Sequence, residues 1–243
     1  MTLQTQAGSI SLEIHDLGHA DYEKTLKLQY SLQNRRRQGK VRDTVLIVEH
    51  TPTITFGVRG SVNRLVTGRD TLGRMGIALV DTSRGGGATA HNPGQVVCYP
   101  IIDLKERFMH VDEYISILED IGVCLLEKLG VTAMRREGFP GLWVEVAGGE
   151  GSFLLKKIAS IGIHLSGMVT SHGMAINIQN DLSIFDHIVP CGIEGISLTS
   201  VKEETGTEHD MGKVRKILAG CVKDHLAPSE TCSTRTSGDV DGM

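Results

Sequence analysis

The chain has 243 residues, of which 40 % are hydrophobic and 22 % are charged, enough for a sizeable core in one large domain. Its 29 acidic and 25 basic side chains give a net charge of −4, which argues against a broad basic surface for nucleic acid. Because no charged-then-apolar leader and no apolar run of about 18 residues is present, we expect a cytoplasmic protein without membrane contact.

The five cysteines are odd in number, and none is spaced as Cys-x-x-Cys. We therefore expect neither a disulfide framework nor a zinc ribbon, and we expect reduced thiols. No metal site and no cofactor is predicted. The cysteines are Cys98, Cys124, Cys191, Cys221 and Cys232.

The N-terminal half alternates between short apolar strands and helices. Strands are predicted at residues 9–15, 45–48, 54–56, 77–80 and 96–102, and a short helix at residues 69–75. Asp21 can cap a longer helix that ends in Arg35-Arg36-Arg37, where cations suit the helix dipole and Gly39 suits the exit. These arginines are interpreted as a solvated helix end; the alternative is a docking patch for an acidic carrier protein.

Residues 84–95 read RGGGATAHNPGQ, and three glycines followed by Pro93-Gly94 predict neither a regular helix nor a strand. The spacing of Gly85, Gly87 and Ala90 matches that of a dinucleotide-binding motif, but such a motif must begin a helix, and Pro93-Gly94 would end that helix immediately. A Gly-Lys-Ser/Thr ending is also missing, so this is no phosphate loop. We expect bare backbone that lies against an extended substrate, with Arg84 and His91 at its ends; the alternative is a structural glycine turn.

The C-terminal half continues the mixed pattern. Asp112 and Asp210 are predicted helix caps, strands are expected at residues 131–134, 142–146, 154–165 and 174–178, and a helical turn at residues 183–187. Residues 147–152 read as a hairpin tip. Residues 1–226 are predicted to form one domain of the α/β (α+β) class, a mixed β-sheet flanked by helices, followed by a disordered tail at residues 227–243.

Cys191 stands between Pro190 and Gly192, which predicts a tight loop. A thiol becomes a good nucleophile when it ionises, and a nearby ammonium favours the thiolate. Lys157, 34 positions earlier on an apolar alternating strand, is the candidate partner. The alternative is that Cys191 is a small buried hydrophobe.

Three segments together resemble the octanoyltransferases of lipoate biosynthesis, also called lipoyl(octanoyl) transferase or lipoate–protein ligase B. The resemblance covers roughly residues 45–201. Asn92 and Ala90 depart from the family pattern, and residues 147–155 are longer than usual; these differences concern loop shape and chain-length preference. The segments are Arg84-Gly-Gly with His91 and Pro93-Gly94-Gln95, then Lys157-Ile-Ala-Ser-Ile-Gly162, then Thr170-x-His172-Gly173-x-Ala175-x-Asn177 with Val189-Pro190-Cys191-Gly192-Ile193.

The resemblance implies the mixed-sheet fold shared by biotin and lipoate ligases. It also implies transfer of an octanoyl or lipoyl group from acyl carrier protein to a lysine of a lipoyl domain, the first step of endogenous protein lipoylation. The implied acceptors are lipoyl domains of 2-oxoacid dehydrogenases and the glycine-cleavage H protein.

The same resemblance assigns residues to roles. Cys191 would be the nucleophile that carries the acyl thioester, and Lys157 would lower the pKa of that thiol and move protons. His172, which lies in a matched motif, and His50, which follows a buried strand, are further candidates for the site; the alternative is that they are ordinary polar residues at a pocket edge. The implied substrate-binding residues are Arg84, Gly85, Gly86, Gly87, Ala88, Thr89, Ala90, His91, Ser160, Ile161, Gly162, Gly173, Met174 and Ala175.

Three alternatives remain open at the level of sequence. An ATP-dependent lipoate or biotin ligase of the same fold needs no nucleophilic cysteine. A non-enzymatic protein that binds acyl carriers or lipoyl domains would show no covalent mass shift. A thioester hydrolase would form the same acyl adduct and pass it to water.

Overall fold

The structure is a computed structural model that describes residues 12–147, 152–190 and 196–227. The strands are β1 (Leu12–Ala20), β2 (Asp43–His50), β3 (Thr53–Phe56), β4 (Ala78–Asp81), β5 (Thr89–His91), β6 (Gln95–Ile101), β7 (Met134–Arg135), β8 (Gly141–Ala147), β9 (Phe153–Ser166), β10 (Val169–Asn177) and β11 (Ser197–Leu198). The α-helices are α1 (Tyr22–Arg37), α2 (Arg69–Arg74), α3 (Val111–Lys128), α4 (Val201–Thr205) and α5 (Met211–Leu226), and two 3₁₀ helices cover Gly60–Val62 and Leu182–His187.

Within these residues, eight strands form one mixed sheet in the order β1-β2-β6-β10-β9-β8-β7, with β11 paired to β9. The β1–β2 and β9–β11 pairs are parallel, and the remaining pairs of this sheet are antiparallel. A smaller sheet has the order β4-β3-β5. The predicted α/β (α+β) class, with a mixed sheet flanked by helices, is confirmed.

Strand β2, which lies between β1 and β6, shows why the sheet is covered on both faces. Val45 and Ile47 belong to the large core that includes α3 and α5. Leu46 and Val48 point to the opposite face, where Leu32 of α1 packs against their cluster. Successive side chains of a strand point to opposite faces, so the four consecutive apolar residues 45–48 require apolar cover on both sides of the sheet.

The predicted helix starts are correct at two positions and wrong at one. The Asp21 carboxylate accepts a hydrogen bond from the Lys24 N–H at 2.9 Å, and Asp210 accepts from the N–H groups at the start of α5. Helix α3 instead begins after His110, so that Asp112 lies inside the first turn. A carboxylate there still stabilises the positive helix end, which is why the sequence signal points to the correct region.

Residues 84–95 contain a short strand, contrary to the prediction from their glycines. Thr89–His91 form β5, in which Ala90 pairs with Ile54 of β3. The pairing depends on a distant strand, which the local glycine signal does not report. The predicted strand at residues 131–134 is likewise displaced to β7, and β1 runs on to Ala20, while residues 9–11 lie outside the described part of the chain.

Two further predictions fall mostly on residues that the structure does not describe. The hairpin tip at residues 147–152 and the tail at residues 227–243 lie outside the described ranges, apart from Ala147, Ser152 and Ala227. Among the described helices, none combines the length and the apolar character that crossing a membrane would require.

The expectation of reduced thiols is wrong for one pair of cysteines. Cys124 of α3 and Cys221 of α5 form a disulfide across 97 positions of sequence. The two helices pack side by side in the large core, and this packing brings the sulfur atoms together. No spacing rule within the sequence reports such a contact.

The arginine run at the end of α1 is not uniformly solvated. Arg36 is buried, and its Nε donates to Asp43 Oδ1 at 2.7 Å. Arg107 Nε donates to the other oxygen of the same carboxylate at 2.6 Å. Arg35 and Arg37 are exposed, so the solvated-end interpretation holds for these two residues and is wrong for Arg36.

Candidate functional site

The loop that carries the three glycines is organised by Arg84. This side chain is only 7 % exposed, and Nη1 donates to the Gly87 carbonyl oxygen at 2.7 Å. Nη2 donates to both the carbonyl and the hydroxyl oxygen of Thr55, each at 2.8 Å. The guanidinium therefore ties the loop to β3 from within. A side chain at Gly57 would collide with the Gly86 carbonyl oxygen, so this close approach requires glycine.

The loop closes over a cavity of about 50 Å³, named here the glycine-loop cavity. The three sequence segments singled out above meet around it, because β9 and β10 are neighbours and Gly85 N–H donates to the Ile163 carbonyl oxygen of β9 at 2.9 Å. The lining residues are Tyr22, Arg84, Gly85, Gly86, Gly87, Thr89, His91, Val97, Tyr99, Ser160, Ile161, Gly162, His172, Gly173, Met174 and Ala175.

Two of the predicted substrate-binding residues do not line this cavity. Ala88 and Ala90 are fully buried and pack with Ile54 and Phe56 in the core beneath the small sheet. Alternation along β5 explains the direction of Ala90, because its strand neighbours Thr89 and His91 line the cavity and successive side chains point to opposite faces. Ala88 immediately precedes the strand. Ala88 and Ala90 therefore belong to the apolar core that supports the loop and not to the cavity wall.

A second cavity of about 410 Å³ adjoins the first and is named here the lysine cavity. Gly85, Gly86, Ile161 and Gly162 line both cavities, so these four residues form the boundary between them. A side chain at Gly162 would lie 3.1 Å from the Gly85 carbonyl oxygen and would narrow this boundary. The other residues of the lysine cavity are Arg59, Ile115, Gly138, Phe139, Pro140, Lys157 and Ile163.

Lys157 lies on the wall of the lysine cavity and is 5 % exposed. Its Nζ donates to the Pro140 carbonyl oxygen at 3.1 Å and lies 5.1 Å from the centre of the Trp143 ring. A carbonyl oxygen and an aromatic face both favour an ammonium group. The structure thus places the Lys157 ammonium on a cavity wall, and its partnership with Cys191 stays a prediction.

Cys191 lies outside the described residues, but the chain on either side of it is located. Before it, Val189 N–H donates to the Arg64 carbonyl oxygen at 3.0 Å. After it, Leu198 pairs with Lys157, and Thr199 N–H donates to the Lys157 carbonyl oxygen at 3.0 Å. The described chain that follows Cys191 thus returns directly to the strand that bears the lysine.

Two of the candidate histidines are held by protein groups. His50 Nδ1 lies 3.0 Å from the Ala20 carbonyl oxygen, and His50 Nε2 lies 2.9 Å from the Tyr99 hydroxyl. His91 Nδ1 lies 2.7 Å from Gln95 Oε1. Burial lowers the pKa of His50 to about 4 and lowers the pKa of His91 well below its usual value. Both imidazoles are therefore neutral near pH 7.

His172 differs from the other two histidines. It is 1 % exposed, has a left-handed φ of 58°, and its backbone N–H donates to Gln29 Oε1 at 2.8 Å. Within the described part of the chain, neither ring nitrogen has a hydrogen-bond partner. Burial, followed by the charge of Arg84, lowers its pKa to about 3. A neutral imidazole with two unused nitrogens thus lines the glycine-loop cavity.

Sequence reasoning missed several lining residues. Tyr22 and Tyr99 line the glycine-loop cavity, and Arg59 and Phe139 line the lysine cavity. Tyr22 is the first residue of α1, where helical periodicity predicts only core packing. No local signal marks these residues, because helix and strand packing alone brings them to the cavities. Among the described residues, no group of three or more acidic, histidine or cysteine side chains is arranged to hold a metal ion.

Comparison with known proteins gives a consistent result. The family model described as the lipoyl protein ligase A/B catalytic domain matches residues 21–223. The octanoyltransferase of Desulfovibrio desulfuricans is 40 % identical over 227 residues, which cover 90 % of this chain and 92 % of that protein. The octanoyltransferase of Solibacter usitatus is 43 % identical over 180 residues, which cover 74 % of this chain and 78 % of that protein.

Solved structures show the same fold at low sequence identity. A bi-partite lipoate protein ligase from Thermoplasma acidophilum superposes with a TM-score of 0.63 at 15 % identity, covering 90 % of this chain and 84 % of the other. A lipoate-protein ligase A bound with ATP superposes with a TM-score of 0.61 at 16 % identity, covering 90 % and 85 %. At these identities the likeness concerns the fold alone.

Proposed function

The chain belongs to the lipoyl protein ligase A/B catalytic domain family, and within it to the octanoyltransferases; we propose that it moves an octanoyl group from acyl carrier protein to a lysine of a lipoyl domain through a thioester on Cys191. The observation that carries the proposal is the position of Lys157. It lines a cavity that adjoins the glycine loop, and its backbone pairs with Leu198, just downstream of Cys191.

In the first step, the Cys191 thiolate attacks the thioester carbonyl of the donor. A new C–S bond forms, the tetrahedral oxyanion collapses, and the carrier's thiolate leaves and takes a proton from the Lys157 ammonium. Because one thioester replaces another, this step is close to isoenergetic. Covalent catalysis of this kind divides one difficult transfer into two easier ones.

In the second step, the amine of the acceptor lysine attacks the acyl-enzyme. The C–N bond of the amide forms, the C–S bond to Cys191 breaks, and the proton lost by the amine returns to Lys157. Amide formation from a thioester is downhill, so the sequence of steps needs no ATP. The proposed acceptors are lipoyl domains of 2-oxoacid dehydrogenases and the glycine-cleavage H protein.

Lys157 is suited to this role by its surroundings. The Pro140 carbonyl oxygen and the Trp143 ring hold the ammonium on the cavity wall with little access to water. In such a site, an ammonium stabilises a nearby thiolate more strongly than it would in water. Proton exchange with the leaving thiol and the incoming amine would then use the same group.

The two adjoining cavities supply a path for the acyl chain. We place the thioester in the lysine cavity and the end of the chain in the glycine-loop cavity, past the boundary at Gly162. Each buried methylene contributes roughly 0.8 kcal/mol to binding. Gly173 also belongs to this wall, and a side chain there would collide with the Cys98 carbonyl oxygen.

The experiment is intact-protein mass spectrometry after mixing with octanoyl-acyl carrier protein in the absence of ATP. We expect a mass increase of one octanoyl group, its loss in Cys191→Ser, and its discharge when a lipoyl domain is added. Cys98→Ala is the matched control, because burial raises the pKa of the Cys98 thiol to about 12 and keeps it unreactive.

Other outcomes identify the alternatives. Modification that appears only with ATP and free octanoate or lipoate, and survives in Cys191→Ser, would establish a ligase. An adduct that water discharges as fast as a lipoyl domain does would establish a hydrolase. Carrier binding without any adduct would leave only a binding protein.

A further inference from the structure

A segment rich in arginine lies between the two parts of the chain that frame the site. Residues 58–75, named here the arginine segment, contain four arginines and a single acidic residue, Asp70, although the whole chain is acidic. The arginines are Arg59, Arg64, Arg69 and Arg74, and all four are exposed.

The position of this segment is defined by backbone hydrogen bonds at both ends of the site. Val58 N–H donates to the Arg84 carbonyl oxygen at 3.0 Å, and Arg59 N–H donates to the Gly86 carbonyl oxygen at 3.2 Å. Val66 N–H donates to the His187 carbonyl oxygen at 2.8 Å, close to the chain that leads into Cys191. The arginine segment therefore borders both the glycine loop and the approach to the cysteine.

The segment also exposes apolar side chains. Val58 is 64 % exposed, Val66 is 66 % exposed and Met75 is 53 % exposed. Three of the ten exposed large hydrophobic residues in the described part of the chain thus fall within these 18 positions. Cationic side chains interspersed with apolar ones are suited to bind an acidic protein surface, since the charges guide its approach and the apolar groups are buried on contact.

We propose that the arginine segment is the docking surface for the acidic carrier protein that delivers the acyl thioester. The inference rests on the proposed function and names the surface that its first step uses. A carrier that docks here presents its arm to the lysine cavity, because Arg59 lines that cavity together with Lys157. The arm of such a carrier contains a phosphodiester, an anion that Arg59 can bind at the cavity wall and that an acceptor lysine lacks.

The other basic run of the chain is less suited to this task. Arg37 at the end of α1 donates to Ser166 Oγ at 3.0 Å, and Ser166 is the last residue of β9. Lys157 lies nine residues earlier on the same strand, which corresponds to about 30 Å along it. A carrier docked at Arg35 and Arg37 would therefore sit far from the end of the lysine cavity that holds Lys157.

The test compares two donors in single-turnover acylation of the full chain. One donor is octanoyl-acyl carrier protein, and the other is octanoyl-pantetheine, which has neither the protein nor the phosphate. The variant is the double reversal Arg69→Glu and Arg74→Glu, whose side chains do not line either cavity. We expect roughly a tenfold loss of kcat/KM with the carrier-bound donor, a weaker dependence on salt, and no change with octanoyl-pantetheine.

The matched control is the double reversal Arg35→Glu and Arg37→Glu, which changes net charge equally and should leave both donors unaffected. Equal slowing by the control would show a net-charge effect and overturn the proposal. If the Arg69 and Arg74 reversals slow acylation with both donors, or with neither donor, the proposal is also overturned. Slower discharge to a lipoyl domain, with acylation unaffected, would assign the surface to the acceptor instead.

Direct binding separates this inference from the proposed function. The affinity of holo-acyl carrier protein for each variant is measured by fluorescence anisotropy and requires no chemistry. If no acyl adduct forms with any donor, the proposed function, acyl transfer through Cys191, is rejected. Weaker carrier binding in the Arg69 and Arg74 reversals alone would then still support docking, and unchanged binding would reject it.

Discussion

Lys157 and Leu198 are paired residues of neighbouring parallel strands, although 41 positions separate them in the sequence. The pairing directs the chain that follows Cys191 onto the strand whose lysine lines the larger cavity. Lys157 is thereby joined to the described chain that resumes at residue 196, five positions after Cys191. The relationship makes the charge of Lys157 the first property to test.

Removal of that charge should make the thiol less reactive. In Lys157→Met the apolar stem remains, but the ammonium that favours the thiolate is gone, so the alkylation rate of Cys191 at pH 7 should fall by about tenfold or more. The measurement is iodoacetamide alkylation against pH, followed by mass spectrometry at the Cys191 peptide.

Lys156→Met is the matched control, because Lys156 is the neighbouring strand residue, points to the other face and does not line the lysine cavity. Its alkylation profile should match that of the unmodified protein. An unchanged profile in Lys157→Met would remove Lys157 from its proposed role.

The preference of the protein for a given acyl-chain length should depend on Ala175. This residue lines the glycine-loop cavity, whose volume of about 50 Å³ leaves little room for additional atoms. Ala175→Val should slow octanoyl transfer relative to hexanoyl transfer by about tenfold, since the last methylenes lose their space. The measurement is the ratio of single-turnover acylation rates with the two donors.

Ala147→Val makes the same change at an exposed strand residue away from both cavities and should leave that ratio unaltered. A ratio that also stays constant in Ala175→Val would place the acyl chain elsewhere.

The buried histidines should make the fold sensitive to mild acid. The pKa of His172 is about 3 in the folded protein and about 6.5 in an unfolded chain. Between these two pH values the unfolded state binds a proton that the folded state does not bind. Stability should therefore decrease as the pH falls from about 6.5 towards 3. Each such histidine contributes a slope of up to about 1.4 kcal/mol per pH unit.

His172→Asn should reduce that slope. Asparagine tolerates the left-handed backbone at this position and does not titrate. The variant therefore removes the effect of protonation without adding backbone strain. The measurement is the free energy of unfolding in urea at pH 7, 6 and 5. The same slope in both proteins would show that His172 does not contribute to the acid sensitivity.

The charge cluster at Asp43 should be a strong determinant of stability. Its carboxylate is 1 % exposed and accepts hydrogen bonds from Arg36 and Arg107, both largely buried. Asp43→Ala leaves two buried guanidinium groups without this partner, so the free energy of unfolding should fall by about 3 kcal/mol or more. Urea unfolding measures the loss.

The control is Asp224→Ala, which removes an ion pair with Lys128 whose side chains are both about half exposed or more. Its cost should be at most about 1 kcal/mol, because water screens exposed pairs. Similar losses in the two variants would mean that burial does not set the value of the Asp43 cluster.

The sequence by itself determined the features that depend on neighbouring residues. The alternation of β9, the apolar run at residues 45–48 of β2 and the caps at Asp21 and Asp210 follow from local geometry, because periodicity and capping involve residues only a few positions apart. The motifs also named most of the residues that surround the two cavities.

Only the tertiary structure decided which distant residues meet. Three contacts join elements whose local sequence patterns do not identify the partner. They are the pairing of β5 with β3, the contact between Cys124 and Cys221, and the burial of Arg36 against Asp43. Tyr22 and Tyr99 reach the cavity for the same reason. Long-range packing selects these contacts through the shape and polarity of whole surfaces, which no short window of sequence contains.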